Sequence, residues 1–108
     1  MKIKIQTHPL SVNKVWQGRR FKTKCYKDYE EELLYKIKGK KVEGFVEIDY
    51  KFYIKYFKTS DVGNFEKPLS DIIVKAGLID DDRFIKKITM EKFKSDEEYI
   101  EIIINKFK

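Results

Sequence analysis

Cysteine and histidine are nearly absent from this chain, each occurring once, as Cys25 and His8. One thiol cannot close an internal disulfide. One of each also leaves a structural zinc site or a Cys/His nucleophilic pair short of ligands or partners. Runs of about 18 apolar residues, the length a membrane-spanning helix needs, are missing, and so is the apolar core of a signal peptide. A cytoplasmic location with no membrane partner is expected, and any metal should be bound by carboxylates. There is no internal repeat and no low-complexity tract, so 1–108 is expected to be one domain with one modest core.

What the chain does contain is charge and aromatic bulk. Twenty-four Lys and Arg oppose eighteen Asp and Glu, giving a net +6, with 42% hydrophobic and 15% aromatic residues. Such a sequence is polar outside yet apolar enough to fold. The basic balance favours a polyanionic partner without naming it.

The pattern along the chain predicts strand, helix, strand, helix, strand, strand. Lys2 to Gln6 alternate around Ile3 and Ile5, with lysines outward as on a sheet edge. Tyr26, Tyr29, Leu33 and Ile37 share a helical face, with Thr23 as candidate cap and Gly39 placed to end the helix. Glu43 to Phe57 gives the strongest strand signal: Val46, Ile48, Tyr50, Phe52, Ile54 and Tyr56 form a core face against charged alternates. Phe84 to Phe93 and Tyr99 to Ile104 read as two further strands, with Lys94, Ser95, Asp96 and Glu97 as a hairpin turn between them. From His8 to Lys24 no periodicity is usable, and a long loop is expected. Its basic residues Lys14, Arg19, Arg20, Lys22 and Lys24, interleaved with Trp16 and Phe21, suit phosphates and exposed bases. A solvated loop pinned by Trp16 into the core fits the same residues.

The stretch Ser60 to Asp82 carries the candidate chemistry. Phe65, Leu69, Ile72, Ile73 and Ala76 make one buried helical stripe that Gly77 ends, while Asn64, Lys67, Asp71 and Lys75 lie on a second stripe. Asp61 precedes this helix, and Asp80, Asp81 and Asp82 follow it. Asp61 or Ser60 also qualifies as a plain helix cap. Carboxylates brought together by a fold suit Mg²⁺, and a basic protein with an acidic cluster points to metal-dependent phosphodiester chemistry.

These residues resemble the RusA-type Holliday junction endodeoxyribonucleases, a family found in bacteria and their phages. The family's D-x-D-N-x-x-K reads here Asp61-Val62-Gly63-Asn64-Phe65-Glu66-Lys67, followed by Asp71. Its A-G-x-x-x-D-D reads Ala76-Gly77-Leu78-Ile79-Asp80-Asp81-Asp82. Pro9-Leu10-Ser11-Val12-Asn13, with Trp16 behind it, resembles the family's P-x-S-x-N motif, and Lys92 resembles a lysine often found beyond the acids.

The resemblance implies a small α+β domain with a mixed sheet, active as a homodimer that nicks a four-way DNA junction symmetrically using Mg²⁺, or Mn²⁺ in its place. It also implies that Asp61 and Asp82 are catalytic metal ligands, with Asp81 a third or an acid just behind them. Lys67 would be the catalytic cation at the scissile phosphate, supported by Asn64 and by Asp71 one turn on. Ser11, Asn13, Lys14, Trp16, Arg19, Arg20, Lys22, Lys24 and Lys92 would contact DNA. One position departs: Gly63 stands where the motif has its second acid. Asp80 would then supply the missing charge, or Asp61 and Asp82 suffice, or the protein binds branched DNA and cuts weakly or not at all.

Overall fold

In the computed structural model, residues 1–14, 16–17 and 21–107 are described, with backbone alone at Trp16, Gln17 and Phe21. Arg19 and Arg20 therefore lie outside the described residues. The elements are β1 (Lys2–Ile5), β2 (Trp16–Gln17), β3 (Phe21–Lys22), α1 (Lys24–Lys36), β4 (Val46–Ile54), α2 (Gly63–Lys75), β5 (Ile85–Lys94) and β6 (Tyr99–Lys106). The expected α+β order holds, with two helices beside a mixed four-stranded sheet. No helix among the described residues is long and apolar enough to cross a membrane.

The sheet order is β1-β6-β4-β5. β4 is antiparallel to β6 and parallel to β5, and β1 pairs with β6 at the edge, as its lysines suggest. The expected hairpin between β5 and β6 does not form, because β4 lies between them. Their polar connection steps across the end of β4, where the Ser95 N–H donates to the Ile54 carbonyl at 3.0 Å. A short polar connector looks the same in sequence whether it spans one strand spacing of ~4.8 Å or two. What settles it is the pairing of β4, which bonds to β5 along one edge and to β6 along the other.

Val46, Ile48, Tyr50, Phe52 and Ile54 are all buried, and both helices close over this face. From α1 come Tyr26, Tyr29 and Leu33, and from α2 come Phe65, Leu69, Ile72 and Ile73. Ser70, a buried polar residue on α2, meets the buried Tyr50 hydroxyl at 2.8 Å. That bond satisfies both groups away from water. The alternation was expected to extend to Tyr56, but the strand ends at Ile54 and the Tyr56 side chain is 70% exposed.

The helix ends follow from local chemistry. Thr23 caps α1 as expected, its Oγ1 accepting from the Tyr26 N–H at 3.2 Å while its hydroxyl donates to the Lys14 carbonyl. Gly39 does not end α1; extended backbone at Ile37 does (φ −75°, ψ 121°). Gly77 does end α2. Its φ of 80° lies in the left-handed region that a side chain disfavours. The Gly77 and Leu78 N–H groups then donate back to the Val74 and Ile73 carbonyls at 3.0 and 3.2 Å, which turns the chain toward the three aspartates.

Part of the long loop is structured. Residues 12–14 form a short 3-10 turn, stabilised by the Asn13 N–H donating to Ser11 Oγ at 3.3 Å, and β2 pairs with β3 as a small ribbon. Cys25, near the start of α1, is exposed.

Candidate active site

α2 carries the site because it starts just past the end of β4 and exits into the aspartates. At its entrance the Asp61 carboxylate accepts from the Gly63 N–H at 3.0 Å, and the Asn64 N–H reaches the Asp61 carbonyl at 3.1 Å. Asp61 is thus a helix-start acceptor whose second oxygen this bond leaves available. Asp61 and Asn64 line a cavity of about 510 Å³ together with Ser11, Asn13 and Lys14. The fold therefore brings the N-terminal motif against the first acid, a juxtaposition of residues some fifty positions apart.

The second grouping lies further along α2. The Lys67 ammonium donates to Asp82 Oδ2 at 3.2 Å and pairs with Asp71 Oδ1 at 3.0 Å. The Asp71 and then the Asp82 carboxylate raise the Lys67 pKa. A hydrogen bond with Asp81, followed by the Lys67 ammonium, holds the Asp82 carboxyl below the usual carboxylate range. Ammonium and carboxylate therefore both stay charged across the neutral range. Asp81 also faces Arg83, 3.7 Å away.

The remaining predicted residues are placed differently. Asp80 pairs with Lys41 at 2.6 Å, and that contact lowers its pKa, so its charge is engaged on the far side of the turn. Lys75, on the same stripe as Lys67, is paired with Glu30 of α1 at 2.7 Å. Lys24 lies 3.5 Å from Asp28, and the Lys22 ammonium sits over the Tyr26 ring at 4.5 Å. Lys92 donates to the Phe57 and Ser60 carbonyls at 2.6 and 2.7 Å, so its ammonium ties down the corner that leads to Asp61. Sequence reading had no signal for that role, since the corner is distant in sequence and offers only backbone oxygens.

Among the described residues, no three His, Cys, Asp or Glu side chains gather into one metal-ligating group. The donor set that does gather, Asp81 with Asp82, consists of carboxylate oxygens that are half-exposed. That fits a hard divalent cation, which is often held by one or two carboxylates and keeps several waters.

Comparison with known protein families matches residues 6–105 to Endodeoxyribonuclease RusA. The chain belongs to this family. The match spans both groupings along α2 and the N-terminal motif, so the resemblance in the short motifs extends over nearly all of this chain. No curated protein matches it. As a RusA-family endodeoxyribonuclease, the chain is a nuclease of the hydrolase class.

Proposed function

We propose that this protein is a Mg²⁺-dependent, structure-specific endodeoxyribonuclease. It resolves four-way DNA junctions by paired symmetric nicks as a homodimer in recombination and repair, with Mn²⁺ as a substitute ion. The observation that carries this reading is the Lys67 ammonium fixed between Asp71 and Asp82 in a chain of the RusA family.

In this reading Asp82 and Asp81 would hold the ion, and Asp61, which is not gathered with them among the described residues, would join as a further ligand only if its side chain moved toward them. When bound, the ion supplies polarisation of the phosphoryl oxygen and lowers the pKa of water. Lys67, kept protonated by its two carboxylates, is aimed to offset charge developing on the scissile phosphate. Asp71 keeps the ammonium in place, and Asn64 borders the Asp61 cavity, where its amide orients the phosphate or a water. Ser11, Asn13 and Lys14 line the same cavity and suit backbone contacts to DNA; Trp16, Arg19, Arg20, Lys22 and Lys24 are proposed as further DNA contacts from their place in the basic, aromatic stretch of the sequence. The test is a labelled four-way junction incubated with Mg²⁺ or with chelator. Paired nicks at opposed positions are expected only with the ion; nicking that persists in chelator would refute the metal-dependent mechanism.

A second reading, a branched-DNA binder that cuts weakly or not at all, is favoured by one observation. Gly63 replaces an acid, and Asp80, the candidate substitute, is engaged by Lys41. The two readings meet in Gly63→Asp. A Cβ at position 63 meets only Asp61 Oδ1 at 3.5 Å, ordinary contact distance, and the backbone there is helical, so the substitution is sterically accepted. Cutting is expected to half-saturate at roughly tenfold lower Mg²⁺, since a carboxylate is added beside Asp61. Unchanged metal dependence would remove the glycine from the account of this site.

A further inference from the structure

Resting on the nuclease reading, the geometry points to a nucleobase-binding site at the corner 56–60. There Tyr56 is the stacking platform for one unpaired nucleotide beside the Asp61 cavity, and Lys55, Lys58 and Lys94 hold its flanking phosphates. Four observations support this assignment.

First, Tyr56 is a large ring standing in water with no ring or ammonium among the described residues packed against it, unlike the other exposed aromatics Phe45 and Tyr35. Phe45 packs edge-on against Phe84 at 5.4 Å and lies under Lys86, and Tyr35 lies under Lys38. Tyr56, 70% exposed, has no such cover among the described residues. Second, the corner that presents it is rigid. The Tyr56 carbonyl accepts from the Ser60 hydroxyl at 2.8 Å and the Thr59 hydroxyl at 3.4 Å, and Lys92 clamps the Phe57 and Ser60 carbonyls from β5. The Lys92 ammonium also lies 4.6 Å from the centre of the Phe57 ring, which turns that neighbouring aromatic toward β5. An aromatic held in place before binding loses little freedom when a base stacks on it.

Third, Tyr56 and Thr59 line two cavities at once. The cavity of about 510 Å³ continues to Ser60, Asp61 and Asn64, while the one of about 310 Å³ is bordered by Lys55, Phe57, Lys58 and Lys94. A base against the ring thus has the polar space that holds Asp61, Asn64 and Lys14 on one side and a lysine-lined space on the other. Fourth, the charge matches one ligand class. Ammonium groups around an aromatic plane are how proteins track a single-stranded backbone while stacking its bases. Paired, stacked bases in a continuous duplex leave no face free for the ring, so the nucleotide is an unpaired one, as where strands exchange at a branch point.

The test uses the full chain in chelator with two fluorescent probes, a four-way junction and a short single-stranded oligonucleotide. Each is prepared intact and with one abasic position scanned along it. Tyr56→Ala is expected to weaken binding of both intact probes by about 5- to 100-fold, and Tyr56→Trp to restore it. At one position the abasic probe should bind wild-type protein as weakly as the intact probe binds Tyr56→Ala, with no further loss when the two changes are combined. Equal binding of intact probe by wild type and Tyr56→Ala, or losses that add at every position, would overturn the proposal. If the nuclease reading alone fails, the junction is not cut in Mg²⁺ and not preferred over linear duplex, while the single-stranded probe still reports the Tyr56 coupling. Because Tyr56 is exposed, loss of fold is not expected, and an unchanged melting temperature for Tyr56→Ala verifies it.

Discussion

Asp82→Asn is expected to lower junction cleavage by at least ~100-fold while leaving binding in chelator close to wild type. The expectation comes from where Asp82 sits. It is the carboxylate that touches both Asp81, its partner in the gathered donor pair, and Lys67, the cation proposed to act at the phosphate. The amide keeps the shape of the side chain and can still accept from Lys67, but it removes the charge that a hard cation requires of its ligand. Lys67 does not drift free, because Asp71 remains 3.0 Å away on the same face of α2. The loss should therefore fall on the metal-dependent step. Cleavage in rising Mg²⁺, measured beside binding of the same junction in chelator, separates the two. Wild-type cutting by the variant would remove Asp82 from the mechanism, and a parallel loss of chelator binding would assign it to DNA contact instead. Lys67→Met should also abolish cutting, but its effect should not be relieved by added Mg²⁺, since an ammonium at the phosphate is not a ligand.

The largest effect on stability is expected at Phe52. Its side chain is fully buried in the middle of β4, between Lys92 of β5 and Ile100 of β6 in the sheet register, and its ring lies 5.2 Å from Phe65 and 5.9 Å from Tyr50. Phe52→Ala should cost about 3–5 kcal/mol from lost burial and the cavity left behind. That is a large share of the ~5–15 kcal/mol that holds a domain of this size together. Thermal denaturation should show a fall in Tm of more than ~10 °C. Tyr35→Ala, at an 80% exposed position on α1, should change stability by no more than ~0.5 kcal/mol and serves as the comparison. A small effect at Phe52 would mean that α2 does not close over the sheet as described. Phe65, the first core residue of α2, would then be free of the strand that sets the helix beside the active site.

The elements that were legible from sequence are those whose signal is local. The alternation of β4 through Ile54, the buried stripe of α2 and the cap at Thr23 each depend on neighbours within a few residues, where backbone geometry fixes which side chains share a face. Tyr56 shows the limit of that reasoning. It continues the period of β4, but the pairing stops at Ile54, and a hydroxyl-rich corner takes over the backbone hydrogen bonds. The β5–β6 connection shows the same limit at larger scale, since whether two strands pair or straddle a third depends on what fills the space between them.

For the site, the sequence by itself determined the spacing of the residues along α2. Lys67 and Asp71 face one another because they are one helical turn apart, and Gly77 turns the chain because only glycine takes its left-handed backbone without strain. Which aspartate Lys67 reaches was decided only by the tertiary structure. The turn after α2 delivers Asp82 to the lysine and sends Asp80 to Lys41. The return of the N-terminal segment sets Ser11 and Asn13 against Asp61, and Lys92 reaches across from β5 to fix the corner that carries Tyr56. Those choices depend on contacts between segments far apart in the chain. The charge of a side chain names what it can pair with, but the packing of the sheet and helices selects the partner.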